Sequence, residues 1–488
     1  MMNNYGFKLS LIICLIIASL SCNNSDKSDN PSLIISNDIF NGSDYSDCID
    51  LDEAVLTGNL FYVDPVNGDI NNNGSSESPF STLQEIVDNN KIETRVFKEL
   101  PYNIGGEMKI KNPGAPIKGG DTIILRNGFH GKFEFQGAYN DEYINIIAED
   151  GHSPSLSMVY LSAASKWRFR GLKISPEFAS PYELNTLVHF ESHGWHGPIS
   201  NITIDDCTMY SVQDSSGWDI DNWNELACNG IRVYGNCMTI RNNYCKNIQY
   251  GITVRGDFVI VKNNLIENFS GDGMRGLGND MFFEYNTVKN SYVVDENHDD
   301  GFQSWSVNDD PPRERVVLRG NVIINYEDPN QPFRGPLQGI GCFDGPYINW
   351  IVENNIVVVD HWHGISLYGA FNCRVVNNTV VDINNSSPGP SWILINAHKN
   401  GTPSEDCVIR NNIATHVTAT DGVVEDHNLV IEYNDYTDLF VDFDNLNFRL
   451  TPDASAIDAG SAELAPSLDI EGNSRPKGEG YDIGAYEY

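Results

Sequence analysis

The stretch "GITVRGDFVIVKNN" (residues 251–264) holds two short alternations of apolar and polar residues, the first opened by a glycine and the second closed by paired asparagines. Period-two alternation over about four to eight residues marks a half-buried strand. Both phrases recur. The asparagine phrase returns as "MTIRNN", "VIVKNN", "FFEYN", "VVLRGN", "WIVENN", "CRVVNN" and "CVIRNN", ending at Asn243, Asn264, Asn286, Asn321, Asn355, Asn378 and Asn412. The spacings are 21, 22, 35, 34, 23 and 34, so the basic repeat is near 22 residues and three repeats carry insertions of about a dozen. The glycine phrase precedes it in each repeat, from Gly230, Gly251, Gly273, Gly301, Gly339 and Gly364. Two short strands per repeat with little helical signal specify an all-β chain wound as a single-stranded parallel β-helix, a solenoid. Asparagines stacked at one turn satisfy one another, since each amide carries donors and acceptors.

Aligned residues of successive rungs stack about 4.8 Å apart. Sequence columns therefore become stripes. After each glycine come Ile231, Ile252, Met274, Phe302, Ile340 and Ile365, and two further on Val233, Val254, Gly276, Ser304, Cys342 and Leu367. These apolar or small columns point inward. The alternate columns point outward: Asn229, Tyr250, Asp272, Asp300, Gln338 and His363 just before the glycine, Arg232, Thr253, Arg275, Gln303, Gly341 and Ser366 two after it, and Tyr234, Arg255, Leu277, Trp305, Phe343 and Tyr368 four after it. Rings and arginines at this density exceed what a merely solvated face carries. They are suited to a sugar polymer with acidic groups. Plain inter-rung salt bridges on a polar sheet face are the alternative.

The face also gathers titratable groups. Asp272 and Asp300 share a column in neighbouring rungs, Asp299 sits beside Asp300, and His298 opens the stretch "HDDGFQSWS" at 298–306. Close carboxyls push one pKa up, which suits an acid–base pair for glycosidic hydrolysis. The expected roles are Asp300 and Asp272 as acid and base with Asp299 assisting, and His298 and His363 relaying protons. Arg232, Arg255, Arg275, Gln303 and Arg334 would hold substrate, with Trp305, Tyr234 and Tyr368 stacking on sugar rings. A lyase or uronate C5-epimerase is the first alternative, needing a base at C5 and neutralisation of the carboxylate by Arg, Lys or a metal. A non-catalytic glycan-binding surface is the second.

The formal charge of the 488-residue chain is −36, which excludes a nucleic-acid partner, because phosphate binding needs a Lys/Arg-rich surface. Residues 1–22 read as an export signal: Lys8 precedes the run "LSLIICLIIASLSC", too short to span a bilayer. Residues 23–57 read as a flexible tether, rich in Asn, Ser and Asp. The solenoid then occupies 58–440 and a closing segment 441–488.

These residues resemble known families. The leader is similar to a bacterial lipoprotein signal, which implies lipidation of Cys22, an outer-membrane or otherwise exported location, and membrane contact only through that lipid. Most of 58–488 resembles right-handed parallel β-helix proteins of the pectate-lyase-like superfamily. "FYVDPVNGDINNNGSSESPFSTLQEIVD" looks like their entry, with Pro79–Val87 as a short capping helix, and "NFRLTPDASAIDAG" with "YDIGAYEY" looks like their C-terminal segment. Asp272-Gly273, Asp299-Asp300 and His363-Gly364-Ile365-Ser366 are similar to the site of polygalacturonase-type hydrolases, without that family's Arg-x-Lys in a following rung. "DENHDDGF" is loosely similar to the alginate C5-epimerase motif, without its proline. The implied partner is an acidic polysaccharide and the implied state a monomer.

The chemistry requires no cofactor. Calcium is the ion that acidic loops would take: Asp69, Asn71 and Asn73 with Gly74 have the spacing of the first half of a calcium loop, although Phe80 stands where the closing glutamate belongs. An Asx-rich turn is the alternative. Cys237, Cys373 and Cys407 read as one column of small core residues, in an exported chain where disulfides are permitted.

Overall fold

The computed structural model describes Cys48, residues 57–306 and residues 311–488. Cys22, the leader and nearly all of the tether lie outside the described residues. Between Leu60 and Val430 the chain winds as a parallel β-helix in which strands pair with their counterparts one rung on, apart from an antiparallel hairpin of Thr94–Phe97 and Met108–Lys111 near its start. The Gly251 rung is typical. Ile252–Arg255 pairs in parallel with Asn229–Tyr234 behind it and Met274–Gly276 ahead. Val259–Lys262 pairs with Asn236–Arg241 and Met281–Glu284. Leu265–Phe269 pairs with Tyr244–Ile248 and Thr287–Ser291. Each rung thus has three strands where the sequence phrases indicate two. The third follows the ladder asparagine directly, so no turn residues announce it.

The expected columns face the interior: Ile231, Ile252, Met274, Phe302, Ile340 and Ile365 are all buried in one continuous core. The paired asparagines do two jobs. The first takes a left-handed turn, as at Asn242 (φ 56°), Asn263 (φ 55°) and Asn377 (φ 53°), a conformation that Asn tolerates better than most residues. The second is buried and forms the ladder. Asn264 Nδ2 donates to Asn286 Oδ1 at 2.9 Å and to the Ile240 carbonyl at 2.9 Å, while its Oδ1 accepts from Asn243 N and Nδ2. The pattern repeats to Asn412 and ends on Asn428.

The N-terminal helix is Leu83–Asp88, shorter and later than Pro79–Val87, because Thr82 is its N-cap and Phe80 instead bridges Val63. Leu83 and Ile86 pack into the core with Val63 and Phe80. The C-terminal segment does not sit over an open end. It packs against the outer face of the third sheet, where Phe440, Phe443, Phe448 and Ile483 meet Ile324, Ile356, Val358, Val381 and Ile413. Cys237 leaves its expected column. Met238 holds the core position in register with Val259, and Cys237 takes φ 56° one residue earlier and forms a disulfide with Cys48. Cys373 and Cys407 are buried neighbours, Cys373 N donating to Cys407 Sγ at 3.4 Å.

Candidate functional site

The corner glycines set the direction of the residues before them. A Cβ on Gly273 would stand 2.3 Å from Val288 Cγ1, and one on Gly301 2.4 Å from Ile323 Cγ2. Both contacts belong to the third sheet, so the glycine faces the core and the residue ahead of it turns outward. Asp272 and Asp300 therefore project from the outer face in adjacent rungs, as the columns indicate. They are not open to water, however: Asp272 is 1% and Asp300 0% exposed, under the side chains that pack on them.

Asp272 is fully engaged. Its Oδ1 accepts from Asp300 N at 3.1 Å and its Oδ2 from Arg275 Nε. The Arg275 guanidinium lies 3.7 Å from the centre of the Tyr250 ring and 5.7 Å from that of Trp305. Asp300 Oδ2 meets His298 Nδ1 at 3.0 Å and accepts from Gln303 Nε2 at 2.9 Å. Its Oδ1 is buried with no hydrogen-bond partner among the described residues. It lies where Gly341 has no side chain, 2.1 Å from the position a Cβ would take. Asp299 turns away from this pair and accepts from Ser291 Oγ at 2.7 Å. His298, by contrast, has a 59% exposed side chain.

Burial raises all three carboxyls. Asp300 is held well above the ordinary range by burial, with Asp272 adding to the rise. Burial outweighs Arg275 at Asp272, and Asp299 is pushed up to about 7 by burial. His298 moves the other way from a buried histidine: the bond to Asp300 raises it. With Asp300 ionised, an Nδ1–H donates to it, which leaves Nε2 as the proton-accepting nitrogen of a largely exposed ring. That arrangement can accept a proton from a bound molecule and return it.

His363 heads a ring cluster on the following rungs. Its Nδ1 meets Ser366 Oγ at 2.9 Å, and its ring lies 4.6 Å from Phe343, 5.2 Å from His361 and 5.3 Å from Trp392. Burial pushes His363 down to about 4, so it is neutral at pH 7. Tyr368 lies 5.5 Å from Phe343. On the preceding rungs Arg232 is in register with His189 and Thr253, Tyr234 lies 6.1 Å from the His189 ring, and Arg255 is exposed. Arg334 is exposed, with its guanidinium over Tyr326.

Trp392 and His189 escaped the column reading because their phrases, "SWILIN" and "TLVHFE", lack the corner glycine. Leu187 stands in register with Gly230, and the chain shifts register between His363 and Ile365 opposite Trp392. Asp69 Oδ1 accepts from Asn71 N and Nδ2, and Asn73 Oδ1 from Ser75 N, so these oxygens close Asx turns. Among the described residues no three His, Cys, Asp or Glu side chains are grouped for a metal.

No curated protein matches this sequence. Among solved structures the chain is similar to a pectate lyase, Pel9A, with 16% identity over 90% of this chain and 98% of that one, at a TM-score of 0.45. It is similar to the A-module of the Azotobacter vinelandii mannuronan C-5 epimerase AlgE4, with 11% identity over 64% and 89%, at 0.44. It is also similar to a GH136 lacto-N-biosidase from Eubacterium ramulus, with 13% identity over 76% and 68%, at 0.38. Residues 197–387 match the family described as "Right handed beta helix region". That match and the rung-to-rung parallel pairing make the chain a right-handed parallel β-helix.

Proposed function

We propose that the protein is an exported polysaccharide-active enzyme in which His298 is the proton-transferring group and Asp300 its orienting partner, acting on a uronate-containing glycan as a lyase or C5-epimerase. One observation carries this reading: an exposed imidazole has its Nδ1 3.0 Å from a carboxylate that is itself fully buried. His298 Nε2 takes the proton from C5 of a bound uronate, while Arg255 and Arg232, two and three rungs earlier, hold the carboxylates of neighbouring uronate units. In the lyase case the C5–H electron pair forms the C4=C5 double bond, the C4–O4 bond breaks, and the proton passes from His298 to O4. In the epimerase case water delivers a proton to C5 from the opposite face, His298 releases its proton to solvent, and no bond of the chain is cut.

Hydrolysis by the carboxyl pair is the second reading, favoured by the raised pKa values of Asp272 and Asp300. It needs a carboxyl at the substrate, whereas Asp272, Asp299 and Asp300 are each at most 1% exposed. Incubation with uronate-containing glycans separates the outcomes. An ultraviolet-absorbing unsaturated product identifies the lyase, and inverted uronate in an uncut chain the epimerase. New reducing ends without unsaturation overturn the first reading in favour of the second. His298→Ala should cut turnover by about 10²- to 10⁴-fold while binding persists; a binding protein would turn nothing over in either form.

A further inference from the structure

The outer face changes character at the His298 rung. Before it, the column two past the glycine reads Arg232, Thr253 and Arg275; after it, the same column reads Gly341, Ser366 and Leu394. Cations therefore give way to small or apolar residues. Arg275 is occupied by Asp272 and Tyr250, which leaves Arg232 and exposed Arg255 as the remaining arginines of this face on the early rungs among the described residues. On the later rungs Lys399 is paired with Asp344.

The later rungs have a low floor between rings. Gly341 and Ser366 are in register, and beside them stand Phe343, His363, Tyr368 and Trp392. Trp362, half exposed, lies parallel to Trp392 at 6.4 Å with an interplanar angle of 19°. Burial lowers His361 and pushes His363 down to about 4, so His363 carries no charge at neutral pH. Among the described residues of this face, a uronate lying here would find no unpaired lysine or arginine. The flat apolar face of a neutral sugar would find stacking partners.

Resting on the function proposed above, we propose that the site is built for a mixed glycan: a uronate seated toward Arg232 and Arg255, and a neutral sugar on the Phe343–Tyr368–Trp362–Trp392 side. At about 4.8 Å per rung, Arg255 and Arg232 lie about 10–14 Å to one side of His298 and the rings about 5–14 Å to the other, a span covered by several consecutive units of one chain.

The test measures binding by calorimetry to full-length protein carrying His298→Ala, which suppresses turnover. The probes are a galacturonate homo-oligomer, a neutral xylose oligomer and an alternating rhamnose–galacturonate oligomer. The alternating oligomer should bind tightest. Trp362→Ala should weaken it about three- to tenfold with little effect on the homo-oligomer, and Arg255→Gln should weaken both uronate ligands about tenfold or more. Unchanged melting of these exposed-site variants confirms an intact fold. Tighter binding of the homo-oligomer, or equal losses on both uronate ligands with Trp362→Ala, overturns the mixed-glycan proposal alone. Absence of binding to every oligomer overturns the proposed function with it.

Discussion

A histidine whose Nδ1 is held by a carboxylate gains its proton at higher pH than one in water, and the contact at His298 is of that kind. If deprotonated His298 is the base, kcat/KM rises with pH through its pKa, so the acid limb should lie above the ordinary histidine value of 6.5. Asp300→Asn removes the group that raises it. The limb should move to lower pH and turnover should fall by about one to three orders of magnitude; His298→Ala should cost about 10²- to 10⁴-fold. A pH profile that stays put in Asp300→Asn would sink the dyad. Asp299 gives a separate stability prediction. Its folded pKa is about 7 against an ordinary 3.8, so the folded state binds the proton more tightly. Its stabilising contribution is complete below about pH 4 and lost as pH rises to about 7. Melting temperature should fall across that window in the native chain and stay flatter in Asp299→Asn. The outward direction of Asp272 and Asp300 was legible from alternation alone. The roles of His298 and Asp299 were not, because both lie in the turn before the strand, where alternation sets no direction and only tertiary packing decides which carboxyl meets the imidazole.

The doubled asparagine shows how adjacent identical residues serve an element differently. Asn263 is exposed at φ 55°, whereas Asn264 is buried with its amide oxygen and both amide hydrogens used. Asn263→Gly should change stability by at most about 0.5 kcal/mol, since glycine takes the left-handed turn freely. Asn264→Leu leaves Asn243 N unpartnered in the interior, removes the side-chain bond to the Ile240 carbonyl and takes one bond each from two flanking amides. At about 1–3 kcal/mol for the stranded amide and about 0.5–1.5 kcal/mol for each lost bond, the loss should be about 3–5 kcal/mol. Chemical denaturation of the two variants checks the contrast, and equal losses would refute the division of labour. The sequence displayed this element well because its period and its asparagines coincide. The third strand stayed hidden because it begins at the residue after the ladder asparagine, so the chain bends without a Gly or Pro to mark it.

At the scale of the whole molecule, the third sheet changes its outer surface halfway along. One outward column runs Lys246, Glu267, Lys289, then Ile324, Val358 and Val381. The first three are partly exposed, with Lys289 Nζ 3.7 Å from Glu267, and the last three are buried. The same switch is visible in the sequence, where "LIENF" and "TVKNS" mix apolar and polar residues but "IVVV" (356–359) is apolar throughout, the pattern of a strand covered on both faces. The C-terminal segment supplies the cover. It is stitched across rungs by Asn354 Nδ2 to the Leu468 carbonyl, Asn377 Nδ2 to the Asp482 carbonyl and Asn411 Nδ2 to the Ser461 carbonyl. The fully buried ion pair of Arg475 and Glu487 at 2.6 Å lies within it. Glu487→Ala strands a buried guanidinium and should cost about 3–5 kcal/mol. Phe448→Ala, in the apolar contact itself, should cost a similar amount. A chain ending at Phe440 should lose far more, because five buried Ile and Val side chains, each worth about 1.5–3 kcal/mol, would face water as one continuous strip. It should collect in the insoluble fraction, while Ile324→Lys, Val358→Glu and Val381→Lys together, which extend the charged column of the earlier rungs, should return it to solution. Soluble, cooperatively folding truncated protein without those substitutions would mean that the closing segment is dispensable to the solenoid.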